Sequence, residues 1–249
     1  MRYRLLFHKV LLMTLGLLAG LSSQVFAETT PPLEQAQVFA CRATSSLLLL
    51  RGEGFQNGHQ QRLDNDLGAL AAALQGVTNP STELLQTHQE LVTQLRNGVS
   101  YGPKEEDLPW RYPQDLSKAL REFLFAAYSQ AKSPASEELP AQVEYLAVQY
   151  LYRSYLGSFE TAREHGEQYL GQDERLLVPA IDAQLTQLDG KSNPAIGKLK
   201  TRWGYLKNAL SDMNSQSNNL VSTSGRPFAP TTVDRHARAF SSQWLALKK

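Results

Sequence analysis

The stretch from Leu139 to Phe159 constrains the fold most, because as a helix it is apolar on nearly every side. A helix with one apolar stripe lies on a core, whereas a helix with two lies inside one. Pro140 suits the first turn, where no backbone N–H is needed. We therefore predict the central helix of an all-helical domain here. Its two stripes are Leu139, Val143, Leu146, Ala147, Tyr150 and Leu151, and Tyr145, Val148, Tyr152, Tyr155 and Phe159.

Apolar residues at steps of three and four predict further helices on both sides of the central one. The central helix either ends near Phe159 or continues past Gly157 to Tyr169. No segment has the alternation of a β-strand. We predict an all-α, multi-helix bundle of seven or eight helices, as a single domain over residues 28–249. The alternative is two sub-bundles that meet near residues 113–170. The other predicted helices cover about 33–51, 59–75, 80–97, 113–132, 178–188, 194–220 and 231–247.

Turn and cap residues suggest where several of these helices begin. Asn79 and Asn193 each precede a proline, the pattern of an N-cap followed by a first helical residue. Pro179 is predicted near the start of its helix. Thr231, with Asp234 three residues later, predicts a variant capping box at the last helix.

The helix after Asn193 carries the most regular heptad pattern of the chain. Strict steps of three and four predict a coiled-coil-like seam with left-handed crossing. We therefore expect Trp203 and Leu206 to be buried between helices. The heptad positions are Ile196, Leu199, Trp203, Leu206, Leu210, Met213, Ser217 and Leu220.

The first 27 residues have the pattern of a secretory signal peptide. Arg2, Arg4 and Lys9 form a positive start, an uncharged apolar run covers Val10–Leu21, and small residues lead to a cleavage site after Ala27. The run is short for a membrane span. An uncleaved anchor is the alternative. We predict export to a bacterial periplasm, with no integral membrane segment after cleavage.

The charge and cysteine content narrow the class of protein. The chain has 25 Lys plus Arg against 24 Asp plus Glu, and loss of Arg2, Arg4 and Lys9 leaves 22 against 24, a net charge of −2. That balance does not favour nucleic acid as a partner.

Cys41 is the single cysteine, so an internal disulfide is impossible. We expect it to be a buried core residue; an intermolecular disulfide is the alternative.

Catalytic and cofactor motifs are absent from the sequence. There is no nucleophile elbow, phosphate-binding glycine loop, His-Glu-x-x-His pair or haem-attachment Cys-x-x-Cys-His. We therefore predict no enzyme, no metal and no cofactor. A non-covalent haem held by His88 and Met213, which both lie on apolar stripes, is a remote alternative.

One polar strip on the central helix is the candidate binding site. Gln142, Gln149 and Arg153 lie together on its surface, and Tyr145 and Tyr152 could form walls. An arginine on a surrounded helix must be paired or line a cavity. The strip is therefore either a structural ion pair or a small pocket for an anionic ligand.

A proline-bearing loop at residues 99–112 is the longest irregular stretch. Tyr101, Trp110 and Tyr112 flank an acidic run there. Such loops pack their aromatic side chains on the body of the protein or carry function.

Two functions of different classes follow from these patterns. The first is an adaptor or accessory of an envelope system that works through a protein partner, because export and helical seams are predicted without catalytic motifs. The second is a sensory bundle that binds a small molecule at the Arg153 strip. A haem protein or an enzyme is a third alternative.

Overall fold

The computed structural model describes residues 31–131, 138–211, 213 and 225–247. These residues form an all-helical bundle, which confirms the predicted fold class. The predicted signal peptide, and Ser217 and Leu220 of the heptad, lie outside the described residues. Eight α-helices are present in the described part: α1 (Pro32–Gly52), α2 (Asn57–Gln75), α3 (Thr82–Ser100), α4 (Tyr112–Ala131), α5 (Leu139–Tyr155), α6 (Glu174–Gln187), α7 (Pro194–Ser211) and α8 (Pro230–Leu247).

Helix α5 is the central helix that the two apolar stripes predict. Every residue from Leu139 to Tyr152 is buried. The helix packs against α1, α6, α7 and α8. Its buried tyrosines also find partners, since the Tyr150 hydroxyl donates to the carbonyl of Phe228 at 2.6 Å. Hydrogen bonds of this kind remove the penalty of burying a phenol.

Helix α1 is a second central helix, which the sequence pattern did not predict. All but one of its residues between Ala36 and Leu50 are buried, and it contacts α2, α3, α4, α5 and α8. Cys41 is completely buried within it, as expected. Small side chains at Ala36, Ala40 and Ala43 have no exposed surface and let neighbouring helices approach closely. The bundle therefore surrounds a pair of helices.

A buried ionic network crosses the interior between these two helices and α8. The Arg42 guanidinium donates from Nε to Oε1 of Glu144 at 2.7 Å, and the side chain of Glu144 is completely buried. Ser241 also donates a hydrogen bond to Glu144. Burial raises the pKa of the Glu144 carboxyl, and Arg42 opposes that rise. Glu144 is thus a second charge on α5, in addition to Arg153.

Arg238 joins the same network from α8. It forms ion pairs with Asp66 at 2.9 Å and with Asp234 at 2.8 Å, and their side chains are 16%, 9% and 0% exposed. It also donates to the carbonyl of Arg42 at 2.7 Å and to Ser46 at 2.8 Å. Burial alone would lower the pKa of Arg238, but Asp234 and the other carboxylates raise it. The guanidinium therefore connects α1, α2 and α8.

The starts of α3 and α6 differ from those expected from the sequence. Helix α3 begins at Thr82 with Ser81 as its cap, because Asn79 adopts a left-handed turn conformation with φ of 53°. Helix α6 begins four residues before the predicted start, since the Asp173 side chain caps it and accepts from the backbone N–H of Arg175 at 3.0 Å. Pro179 consequently lies inside α6.

The last two helices give one confirmation and one correction. The Asn193 side chain accepts from the backbone N–H of Ala195 at 3.0 Å, as expected for a cap of α7. Helix α8 begins at Pro230, so Thr231 lies in its first turn rather than at its cap. Asp234, the other half of the predicted capping box, instead pairs with Arg62 at 2.9 Å.

The predicted seam of α7 is present. Trp203 is 3% exposed and Leu206 is completely buried. The Trp203 ring lies 6.4 Å from the ring of Phe240 in α8, and its indole N–H donates to Asp182 of α6 at 3.0 Å. Helix α7 therefore packs against both α6 and α8 through this face.

Within the described ranges, no helix combines the length and the apolar composition that crossing a membrane requires.

Candidate functional site

An open cleft of about 2080 Å³ lies at the C-terminal end of α5. Five arginines line it, and they come from α4, α5, α6 and two loops. Three carboxylates line it as well. The charged residues of this arginine cleft are Arg121, Arg153, Arg163, Arg175 and Arg226, with Glu160, Glu164 and Asp173.

The wall of the cleft exists because α5 ends early. The helix stops at Tyr155, so the alternative that it continues past Gly157 to Tyr169 is wrong. Gly157 takes a left-handed backbone with φ of 99°, a conformation that glycine adopts without strain. The N–H groups of Leu156 and Gly157 both donate to the carbonyl of Tyr152, at 2.8 and 3.0 Å. These bonds end the helix and turn the chain into the loop that lines the cleft.

That loop contains two short 3₁₀ helices, Arg163–His165 and Tyr169–Gly171. The N–H of Ala162 donates to the carbonyl of Leu170 at 3.0 Å, which closes the loop on itself. The ring of His165 stacks on Phe125 of α4 at 4.0 Å. Contacts with the body of the bundle therefore hold Arg163 and Glu164 at the cleft, where both side chains are exposed.

Arg153 is paired inside the protein and also lines the cleft. Its Nη1 lies 3.1 Å from Oε1 of Glu174, and the two side chains are 17% and 4% exposed. Its backbone carbonyl accepts from Nη2 of Arg226 at 3.0 Å. Arg226 donates its other nitrogen to the carbonyl of Met213. Arg153 thus has the internal carboxylate partner expected for a structural ion pair.

Arg175 has a carboxylate partner as well. Its guanidinium contacts both oxygens of Asp173, with the shortest distance 2.6 Å. Hydrogen bonds from Arg175 hold the pKa of Asp173 below its usual value. Asp173 therefore stays ionised near neutral pH and balances Arg175.

The other three arginines of the cleft have no carboxylate partner of this kind among the described residues. Arg121, Arg163 and Arg226 form no ion pair with any carboxylate of the described part of the chain. Guanidinium groups stay protonated at all physiological pH values and match carboxylates or phosphates with paired N–H donors. The cleft can therefore bind and orient an anion.

The other four predicted site residues do not line the cleft. Gln149 is completely buried and donates to the carbonyl of Gln172 at 3.1 Å. Gln142 is 5% exposed, and its side-chain oxygen has no hydrogen-bond partner among the described residues. Of the five residues predicted from the central helix, Arg153 alone lines the cleft.

Tyr145 and Tyr152 are both completely buried. Tyr145 donates its hydroxyl to the carbonyl of Leu170 at 2.8 Å, and Tyr152 donates to the carbonyl of Pro113. Burial raises the pKa of both phenols, so both remain donors. They tie the loop and the start of α4 to α5, and thereby support the cleft from behind.

His88 and Met213, the residues of the haem alternative, lie in separate surroundings. The ring of His88 lies 6.0 Å from that of Phe123. Met213 is completely buried at the edge of the cleft, just after α7. Among the described residues, no group of three His, Cys, Asp or Glu side chains is placed to hold a metal ion.

Comparison of the chain with protein-family models, with curated proteins and with solved structures found no match. The interpretation of the arginine cleft therefore depends on its own residues and their geometry.

Proposed function

We propose that the mature chain is a periplasmic, non-enzymatic adaptor or accessory protein that binds an acidic segment of a protein partner in the arginine cleft. The observation that carries this proposal is a group of three arginines, Arg121, Arg163 and Arg226, that line one open concave surface and form no ion pair with a carboxylate of the described residues. Arg153 and Arg175 stand beside them, each with a carboxylate of its own.

The size of the cleft favours a protein segment over a small molecule. Pockets for small ligands enclose roughly 300–1,000 Å³ and bury most of the ligand. The arginine cleft has about 2080 Å³ and is open to solvent. A peptide segment that lies along the surface suits this shape better than a compact metabolite.

The charge of the cleft favours an acidic segment. The mature chain is close to neutral, with 22 Lys plus Arg against 24 Asp plus Glu when residues 1–27 are removed. Among the described residues that line the cleft there are nevertheless five arginines and three carboxylates. A local excess of one sign raises the rate at which an oppositely charged partner arrives, and bidentate Arg–carboxylate contacts then fix its position.

The proposed location depends on the signal peptide and has its own test. We expect the chain purified from the periplasm of an expressing bacterium to begin at Glu28, because cleavage follows Ala27. Intact-mass measurement of that product checks this directly. A membrane-associated product that still begins at Met1 would contradict the periplasmic assignment.

Removing two of the unpaired arginines tests the cleft itself. We expect the mature protein to bind an octaglutamate peptide, and Arg121→Gln with Arg163→Gln to weaken that binding about tenfold or more, since two charge contacts are lost. Isothermal titration calorimetry at low and at moderate salt measures both affinities. Higher salt should weaken binding to the unmodified protein, because it screens exposed charges.

A matched control separates the cleft from general positive charge. Arg96→Gln with Arg235→Gln also removes two arginines, both of them exposed and both outside the cleft, whereas Arg121 is half-buried and Arg163 exposed. We expect this variant to bind octaglutamate as the unmodified protein does. Equal weakening by both double variants, or no binding at all, contradicts the proposal. If succinate or phosphate binds as tightly as the peptide, the cleft is a site for a small molecule. That result would contradict the adaptor proposal and favour small-molecule sensing.

A further inference from the structure

Trp110 is the most exposed large apolar side chain in the described part of the protein. It is 81% exposed, in the loop between α3 and α4. The flanking aromatic residues behave differently, because Tyr112 is buried and Tyr101 packs edge-on against it at 5.2 Å. The packing expected of this loop therefore holds for the two tyrosines and fails for the tryptophan.

The loop is firmly attached to the bundle although Trp110 points outward. Arg51 of α1 donates to the carbonyls of Gly98 and Gly102, at 2.7 and 2.9 Å. The Tyr112 hydroxyl donates to the carbonyl of Gln94 at 2.9 Å. The Arg111 guanidinium lies 5.5 Å from the centre of the Trp110 ring, close enough for a cation–π contact. The fold thus holds the tryptophan at the surface.

A groove of about 720 Å³ lies beside Trp110, which we call the Trp110 groove. The Tyr155 ring packs directly on the backbone of Gly52, where an added Cβ would come within 2.3 Å of it. Glycine at this position therefore lets Tyr155 lie close to α1 on the lining of the groove. The other apolar lining residues are Leu48, Leu108, Leu156, Pro103, Pro109 and Pro113.

The Trp110 groove adjoins the arginine cleft. Gly157 lines both concave surfaces, so they meet at the C-terminal end of α5. The groove differs from the cleft in charge, since Arg51 and Lys104 in its lining are balanced by Glu53 and Glu105. A charge-balanced groove has no preference for an anion, and the apolar residues in its lining, with the exposed Trp110 ring at its edge, offer contact to an apolar side chain.

We propose that the Trp110 groove binds a large apolar side chain of the same acidic segment that the arginine cleft binds. This inference rests on the proposed function. The partner segment then has a defined chemistry, several carboxylates next to an aromatic or large aliphatic residue. Tryptophan is among the residues that contribute most to protein interfaces, because it supplies a large rigid contact area. Trp110 is therefore the specificity-determining residue of the combined surface.

Two peptides separate the groove from the cleft. The first is octaglutamate with a phenylalanine at each end, joined through two glycines, and the second has serine in place of phenylalanine. We expect the phenylalanine peptide to bind the mature protein about tenfold more tightly, as for an anchor side chain in a pocket. Trp110→Ala should remove this gain and leave the affinity for the serine peptide unchanged.

Tryptophan fluorescence gives a second readout at the groove. We expect the phenylalanine peptide to shift the emission of Trp110 to shorter wavelength, seen as the difference between the unmodified protein and Trp110→Phe. The serine peptide should cause no such shift. Because Trp110 is exposed, we expect Trp110→Ala and Trp110→Phe to have the same melting temperature as the unmodified protein. A thermal unfolding scan checks this.

The outcomes distinguish the two proposals. Equal binding of both peptides, or a phenylalanine gain that persists in Trp110→Ala, overturns the role of the groove and leaves the cleft intact. Failure of both peptides to bind overturns the proposed function and this inference together. A Trp110 shift with anionic lipid vesicles, but with neither peptide, would assign the surface to a membrane and overturn the protein-segment proposal.

Discussion

Replacing Arg238 by alanine lowers the free energy of unfolding by about 3–5 kcal/mol, the range expected when one member of a buried ion pair is removed. The change leaves Asp66 without its cation and takes one of two cations from Asp234. It also removes the donors to the Arg42 carbonyl and to Ser46. Urea unfolding followed by circular dichroism measures the difference.

Arg235→Ala is the matched control for this prediction. Arg235 lies on the same helix, three residues earlier, and is exposed. Its replacement should change stability by less than about 0.5 kcal/mol. Arg238→Lys should not restore stability, because an ammonium group cannot reproduce the planar fork that contacts two carboxylates. An Arg238→Ala protein as stable as Arg235→Ala would show that the network contributes nothing.

Replacing Trp203 by alanine has an expected effect of similar size, a loss of about 3–5 kcal/mol. The substitution leaves a cavity between α7 and α8 where the ring now faces Phe240. It also removes the indole N–H that donates to Asp182. Thermal and urea unfolding of the purified variant measure the loss.

Trp110→Ala controls for the removal of a tryptophan as such. Its ring is 81% exposed, whereas that of Trp203 is 3% exposed. We expect Trp110→Ala to stay within about 0.5 kcal/mol of the unmodified protein. Equal stability of the two alanine variants would mean that the α7 seam faces water.

The features that the sequence predicted well are those with a strong helical period. The two apolar stripes of α5 correctly indicated a buried helix, and the heptad of α7 correctly placed Trp203 and Leu206 in the core. In both cases the period of the side chains alone determines which face is buried.

The burial of α1 was missed because several of its buried residues are polar. Arg42, Thr44 and Ser46 are buried together with apolar residues. Arg42 and Ser46 are satisfied by partners that lie elsewhere in the sequence, such as Glu144 and Asp66. A periodicity argument assigns such residues to solvent, since it has no information about distant partners. The isolated Glu144 within an apolar stretch was the available signal of a buried ion pair.

The candidate site was predicted in part for a related reason. Arg153 stood out because it interrupts the pattern of one helix, and the structure places it at the cleft. Arg121, Arg163 and Arg226 belong to a helix and two loops far apart in sequence, and they come together through tertiary packing. The early end of α5 at Tyr155 also depends on Gly157 and the loop that follows. The pattern of neighbouring residues does not indicate which residues from distant parts of the sequence meet in the fold.

Mapping the octaglutamate contact by nuclear magnetic resonance tests the binding cleft most directly. Backbone amide shifts of the mature, isotope-labelled protein are followed as the peptide is added. We expect the largest shifts at residues 157–161, 163–164, 173, 175–176 and 225–226, which line the arginine cleft. Shifts that cluster elsewhere, for example around Arg96 on α3, or no localised shifts at saturating peptide, would contradict the assignment of this cleft as the site that binds an acidic partner.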